Sequence, residues 1–184
     1  MHPRSRYPRR GLITVSVLAA GLLSLSGCAT PTAQDYATDE AARLALVAQE
    51  NLLALATVSK SDPLPTSEEI RAVFQTDVTS MTGPELRAMN TSSRSLLLYS
   101  IDSTTNQQVA NVFVMGRGQG GGGWFYESVH SYTCVSFTYE RSRPGKLTAS
   151  EATCPELLVE NLTFPLDDKL ASFDDLDIEE IVEK

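Results

Sequence analysis

Two cysteines, Cys134 and Cys154, with Pro144-Gly145 midway between them, constrain this chain more than any other feature. Around the first, Thr133, Val135, Phe137 and Tyr139 alternate with Cys134, Ser136 and Thr138, the two-residue period of a strand. The segment Arg141-Ser142-Arg143-Pro144-Gly145-Lys146 has the composition of a turn, and Leu147 to Thr153 can return as the partner strand. A hairpin centred on Pro144 sets the two cysteines directly opposite each other. Opposed residues of antiparallel strands have Cα atoms about 4.5–5.5 Å apart, a distance a disulfide spans. The pair is therefore expected to be bonded, contributing about 3 kcal/mol in the chain-entropy account. A redox-active pair would need a close spacing such as Cys-x-x-Cys, which is absent.

The rest of the chain divides into helical patterns followed by strand patterns. Thr38 ahead of Asp39-Glu40 fits an N-cap, and Leu44, Val47, Asn51, Leu55 and Val58 fall on one stripe, predicting a helix over 39–59. Ser61-Asp62-Pro63-Leu64-Pro65 ends it. Thr66 and Glu69 form a capping-box pattern before Ile70, Val73 and Phe74, and Gly83-Pro84-Glu85 opens a third helix with Leu86 and Met89 on its apolar side. Short runs rich in β-branched and aromatic residues follow: Leu96 to Ile101, Val109 to Met115, Trp124 to Val129, Thr133 to Tyr139 and Leu147 to Thr153. This order predicts an α+β fold, an N-terminal helix or helices packed on a mainly antiparallel sheet of about five strands. The stretch from Pro155 to Phe164 is ambiguous. Asp167 to Lys184 holds eight acids and two lysines, has Leu166, Leu170 and Phe173 at helical spacing, and reads as a solvated acidic segment.

Residues Gly116 to Gly123 contain a formal G-x-G-x-x-G between Gly118 and Gly123. A dinucleotide fingerprint must open a helix that receives the pyrophosphate, whereas Trp124-Phe125-Tyr126 reads as strand, so the run is expected as a hairpin tip. Six of the twelve aromatic residues that follow residue 27 lie between Trp124 and Tyr139. Rings beside a glycine loop suit a sugar or a peptide, which makes Gly120, Gly121, Trp124 and Tyr126 the candidate binding surface; sheet core is the competing role for the same aromatics. His130 stands between Ser128 and Ser131 without a nucleophile-elbow pattern, so no catalytic residue is assigned. One histidine and a paired set of cysteines do not make a zinc site. The acids of Asp174 to Glu180 lack the glycine of an EF-hand loop. No metal or cofactor is expected.

At the other end, Arg4, Arg6, Arg9 and Arg10 precede an apolar run from Leu12 to Leu25, and no acid appears before Asp35. That run is shorter than the roughly twenty residues a bilayer-spanning helix needs. It closes on Leu25-Ser26-Gly27-Cys28. This tetrapeptide resembles the lipobox of bacterial lipoprotein precursors, and beyond these first thirty residues the chain resembles small actinobacterial-type envelope lipoproteins only loosely. The resemblance implies that the Cys28 thiol takes a diacylglyceryl group and that a signal peptidase recognising Leu25, Ser26 and Gly27 cuts just before it. Residues 1–27 would then be a leader, 28–37 a lipidated tether, 38–166 one domain and 167–184 the acidic segment. Arg9-Arg10 faintly resembles a twin-arginine export signal without its usual context.

Removing residues 1–27 takes four of fifteen basic residues and none of the twenty-three acids, leaving eleven against twenty-three, a net charge of −12. Such a balance excludes nucleic acid as a partner, because polyanion binding needs clustered Lys and Arg. Two acyl chains would hold the protein stably at about 0.8 kcal/mol per buried methylene. An even pair of remaining cysteines also suits an oxidising compartment. The chain therefore reads as a lipid-anchored, extracytoplasmic, non-catalytic domain whose partner is an envelope protein or a cell-wall component. A carrier with an apolar pocket between helix and sheet is the alternative, and an envelope hydrolase stands third.

Overall fold

Alanine, rather than leucine, lines the face by which the long helix meets the sheet. The computed structural model describes residues 31–58, 64–89, 95–122, 125–162 and 168–176. Within it, α1 (Ala33–Val58) buries Ala33, Ala37, Ala41, Leu44, Ala45, Ala48 and Leu52, spaced by threes and fours along one side. This stripe is displaced from the expected one: Asn51 is exposed, and Val47 and Leu55 are only half-buried. The helix also begins ahead of residue 39. Thr32 supplies the start, its N–H donating to the Asp35 carboxylate at 2.6 Å while its hydroxyl accepts from the Asp35 N–H at 3.2 Å. The expected tether over 28–37 is thus helical from Ala33.

Two short helices follow, α2 (Ser67–Ala72) and α3 (Gly83–Ala88), the first opened by the Thr66–Glu69 capping box read in the sequence and the second starting at the expected Gly83-Pro84-Glu85, with a Thr82–Glu85 capping box that was not read. Then come β1 (Ser95–Ser103), β2 (Gln107–Gly122), β3 (Phe125–Glu140) and β4 (Leu147–Ala152), antiparallel in the order β1-β2-β3-β4. After α4 (Glu156–Leu162), the three-residue β5 (Asp168–Leu170) pairs in parallel with His130 to Tyr132 of β3, and Phe173–Leu176 forms a 3₁₀ turn. The fold is α+β with a mainly antiparallel sheet. Its strands differ from the five expected in two ways. From Phe125 onward, the expected strands Trp124–Val129 and Thr133–Tyr139 are one continuous strand, because the polar residues between them are not a turn: Ser131 is fully buried and bonded to α1. The described part of the C-terminal segment, residues 168–176, is also not the α-helix its spacing suggests. It contributes β5 and the 3₁₀ turn, and its Leu176 is fully buried.

The sheet has a layer on each face. Alternate residues Ala110, Val112 and Val114 of β2, with Val135, Phe137 and Tyr139 of β3, pack against α1 in the larger core. The intervening Phe113, Met115 and Cys134 pack against Leu86 of α3 and Leu158 and Leu162 of α4. Phe113 stacks on Tyr132 with ring centroids 5.8 Å apart. A bulge at Tyr99 interrupts the β1–β2 register, and the outer edge of β1 is partly covered where Leu98 exchanges hydrogen bonds with Thr76 and Val78.

Cys134 and Cys154 form a disulfide with Cα atoms 5.2 Å apart. Their register differs by two residues from the expected one. Two linked turns, Arg143 N–H to the Glu140 carbonyl and Lys146 N–H to the Arg143 carbonyl, centre the hairpin on Arg143 instead of Pro144. Cys134 therefore faces Ala152, and Cys154 reaches it from two residues beyond the end of the ladder.

Candidate functional site

The glycine run is where sequence and structure part most clearly. From Gly116 to Gly122 it is strand, paired with β3 as far as Phe125, and not a hairpin tip. Its alternate members lie beneath the start of α1. A Cβ placed on Gly116 would come within 2.3 Å of the Ala37 carbonyl oxygen, and one on Gly118 within 1.7 Å of the Ala33 carbonyl oxygen. At Gly120 the nearest atom would be the Ala33 Cβ at 3.0 Å. Strand glycines admit a second backbone at a distance no other residue allows. The alanines of α1 are the matching half of that contact.

Of the candidate binding surface, Gly120 therefore faces the helix and Gly121 the opposite side of the sheet, where its φ of 91° lies in the glycine-favoured region. Tyr126 is the register partner of Gly121. Trp124 lies outside the described residues, as do Leu25, Ser26, Gly27 and Cys28. The structure thus pairs the backbone of Gly121 with that of Tyr126, while the adjacent Gly120 presents to the other face of the sheet.

Polar groups surround this end of the hairpin on both faces. On the α1 side, the fully buried Ser131 hydroxyl accepts a hydrogen bond from the Gln34 amide and lies 3.1 Å from the Thr38 hydroxyl. On the other side, Arg117 Nε donates to the Ser128 hydroxyl at 2.8 Å, and His130 is Arg117's register partner. His130 and Ser131 thus belong to opposite faces, and Ser128 is engaged by Arg117. Among the described residues no group of three or more His, Cys, Asp or Glu side chains could hold a metal.

A second polar cluster carried no signal in the sequence. Asn111 Nδ2 donates to Ser100 Oγ and to the Asp102 carboxylate, each at 2.8 Å, while the Ser136 hydroxyl donates to Asn111 Oδ1. The Tyr99 bulge sets Ser100 opposite Asn111, so the cluster depends on an irregularity that strand periodicity does not encode. Burial, and secondarily the Asp102 charge, raise the Tyr99 hydroxyl above its ordinary pKa of 10.0.

Among the described residues, two of the grooves beside the sheet border its cores. One of about 380 Å³ lies between α1, the segment after α2 and the β1 edge, lined by Leu44, Val47, Val73, Thr76, Met89 and Leu96 among others. The other, about 450 Å³, borders the disulfide at Tyr132, Ala152, Cys154, Val159 and Leu170. Both are shallow and of mixed polarity, unlike the enclosed apolar chamber a carrier requires. The space directly between α1 and β2 is closed by the alanine–glycine contact. Compared with protein-family models, with curated proteins and with solved structures, the chain matches none.

Proposed function

We propose that the protein is a membrane-anchored extracytoplasmic lipoprotein, tethered through a diacylglyceryl group on Cys28, that serves as a non-catalytic interaction domain of the cell envelope. Cysteine usage is the observation that carries this reading. Two of the three thiols are joined in a disulfide, the state that persists in oxidising compartments, and the third ends the apolar leader after Leu25-Ser26-Gly27. Among the described residues no helix is long and apolar enough to cross a membrane. The contact between α1 and the glycine strand weighs against the carrier alternative, and the separation of His130 from Ser131 weighs against a hydrolase. The partner within this reading is an envelope protein or a cell-wall component.

The test is Cys28→Ala expressed beside the unaltered chain in a lipoprotein-processing bacterium fed labelled fatty acid. The unaltered protein should take up label, fractionate with membranes and begin at Cys28 by mass spectrometry. The variant should stay unlabelled and keep its leader. Unaltered protein that begins elsewhere or carries no fatty acid would remove the proposal.

A further inference from the structure

On the face of the sheet away from α1, Leu86 of α3 with Leu158 and Leu162 of α4 packs on Phe113, Met115 and Cys134. Beyond that apolar cover, toward the β1–β2 and β3–β4 turns, the side chains of the same face change character. Ser100, Asn111, Ser136 and Ser150 form a row across all four antiparallel strands, each the register partner of the next, and Asp102, Val109, Thr138 and Thr148 form the following row. With neighbouring strands 4.7–4.9 Å apart, each row is about 14 Å wide. Past the second row, a groove of about 360 Å³ lies between the two turns, lined by Thr104, Asn106, Gln107, Glu140 and Ser142.

Hydroxyls dominate these rows, and a hydroxyl donates and accepts alike. Asp102 and Ser150 are exposed, and Ser100, Ser136, Thr138 and Thr148 are half-buried. The groups are also held in place. Asn111 donates to Ser100 and Asp102 and accepts from Ser136, while Ser100 donates to Asp102 at 3.2 Å, so little side-chain freedom remains to be lost on binding. Apolar surface is sparse: Val109 stands in the middle of the second row, and Tyr99, packed beside the Phe113 core, borders the first. A protein interface centres on buried apolar or aromatic anchors, which these rows do not provide. An anion is no better served. Of the cations at the adjoining turn, Arg141 Nε donates to the Thr105 carbonyl and Arg143 pairs with the Glu140 carboxylate at 3.6 Å. The surface therefore matches a ligand that is uncharged, rich in hydroxyls and only locally apolar.

We propose that the polar half of this face binds a neutral polysaccharide, whose hydroxyls exchange hydrogen bonds with the Ser100, Asn111, Ser136 and Ser150 row and whose C–H surfaces lie on Val109 and beside Tyr99. The groove between the turns extends the site. This deepens the cell-wall branch of the functional reading above and rests on that reading for its ligand to be within reach.

Frontal affinity chromatography of the purified full chain on immobilised glucan, mannan, galactan and poly-N-acetylglucosamine tests this, with dextran sulfate as the charged control. At least one neutral polymer should retain the protein, and high salt should not release it. Thr138→Arg, which sets a long charged side chain in the middle of the second row, should weaken that retention about tenfold. Ser150→Arg, at an exposed position on the edge strand, should act alike; its unfolding temperature should match the parent's, so it decides the matter if Thr138→Arg fails to fold. Leu46→Ser, on the exposed side of α1, should leave retention unchanged. Retention by none of the neutral polymers would overturn the proposal and leave the envelope-protein branch. Retention undiminished in the folded Arg variants, or seen only on dextran sulfate and lost in salt, would overturn it equally. A chain retained as expected but without fatty acid on Cys28 would refute the lipoprotein reading and leave the site standing, whereas an acylated chain that is not retained would do the reverse.

Discussion

Gly118 is the position least able to accept a side chain. Its added Cβ would lie 1.7 Å from the Ala33 carbonyl oxygen and 2.6 Å from the Ala37 N–H nitrogen, both backbone atoms that move only if the helix moves. Gly118→Ala should destabilise the protein by about 3 kcal/mol or more in urea unfolding, at the upper end of overpacking costs. Gly120→Ala should cost less, because its contact is the Ala33 methyl at 3.0 Å. Gly145 provides a contrast: its φ is +79° with nothing within 4 Å, so Gly145→Ala should cost only the left-handed backbone penalty of about 1 kcal/mol. The signal for this arrangement was present. Gly116, Gly118 and Gly120 recur every second residue, and Ala33, Ala37, Ala41 and Ala45 every fourth, yet neither set is apolar enough to register as a buried face. Burial here follows from small size, which hydropathy patterns do not weigh. Tyr139, by contrast, reads correctly as core; its hydroxyl donates to the Leu52 carbonyl at 2.7 Å, and burial raises its pKa far above the ordinary value.

Among the elements, the start of α2 was the most legible, because a cap is a local exchange of hydrogen bonds written in four residues, whereas the cap of α1 lies at Thr32 and not at Thr38. Glu69 accepts from the Thr66 N–H and hydroxyl at 2.7 and 2.8 Å, and Glu85 does the same with Thr82. Those backbone bonds first, and the hydroxyl bonds second, lower both carboxyls below their ordinary pKa of 4.5. Since the folded state favours the ionised form, the caps stabilise fully above about 4.5 and lose that contribution as pH falls through the lowered values. Amide protection factors in α2 and α3, taken relative to intrinsic exchange, should therefore fall on acidification below that range, and Glu69→Gln with Glu85→Gln should remove this dependence. The disulfide between the cysteines was legible too, but their direct opposition and the turn between them were not: Pro144 draws the eye as its centre, while the hydrogen bonds fall symmetrically about Arg143. Cys134→Ala with Cys154→Ala should lower stability by about 3 kcal/mol, the loop spanning a sequence separation of 20. The denatured, unreduced protein should have no titratable thiol at either position.

At the scale of the whole molecule, the α+β class follows from the order of the periodic segments, but the closure of the fold does not. Leu176 sits in an acid-rich stretch whose composition argues for solvation, and it is fully buried in the core shared by α1 and the sheet. Leu176→Ala should cost about 2–5 kcal/mol by the usual penalty for emptying a buried leucine site, whereas an unpacked tail would tolerate it; thermal unfolding separates the two. β5 escaped notice because three residues are too few to show a period, and it is recruited only where the β4 ladder ends at Cys134. The path of α1 has a mechanical corollary. The helix runs from Ala33, beside the hairpin end, to Leu52, whose carbonyl meets Tyr139 near the opposite end of β3. A pull on the N-terminal chain along the axis of α1 would load that whole interface in shear, its buried side chains resisting together instead of peeling away one turn at a time.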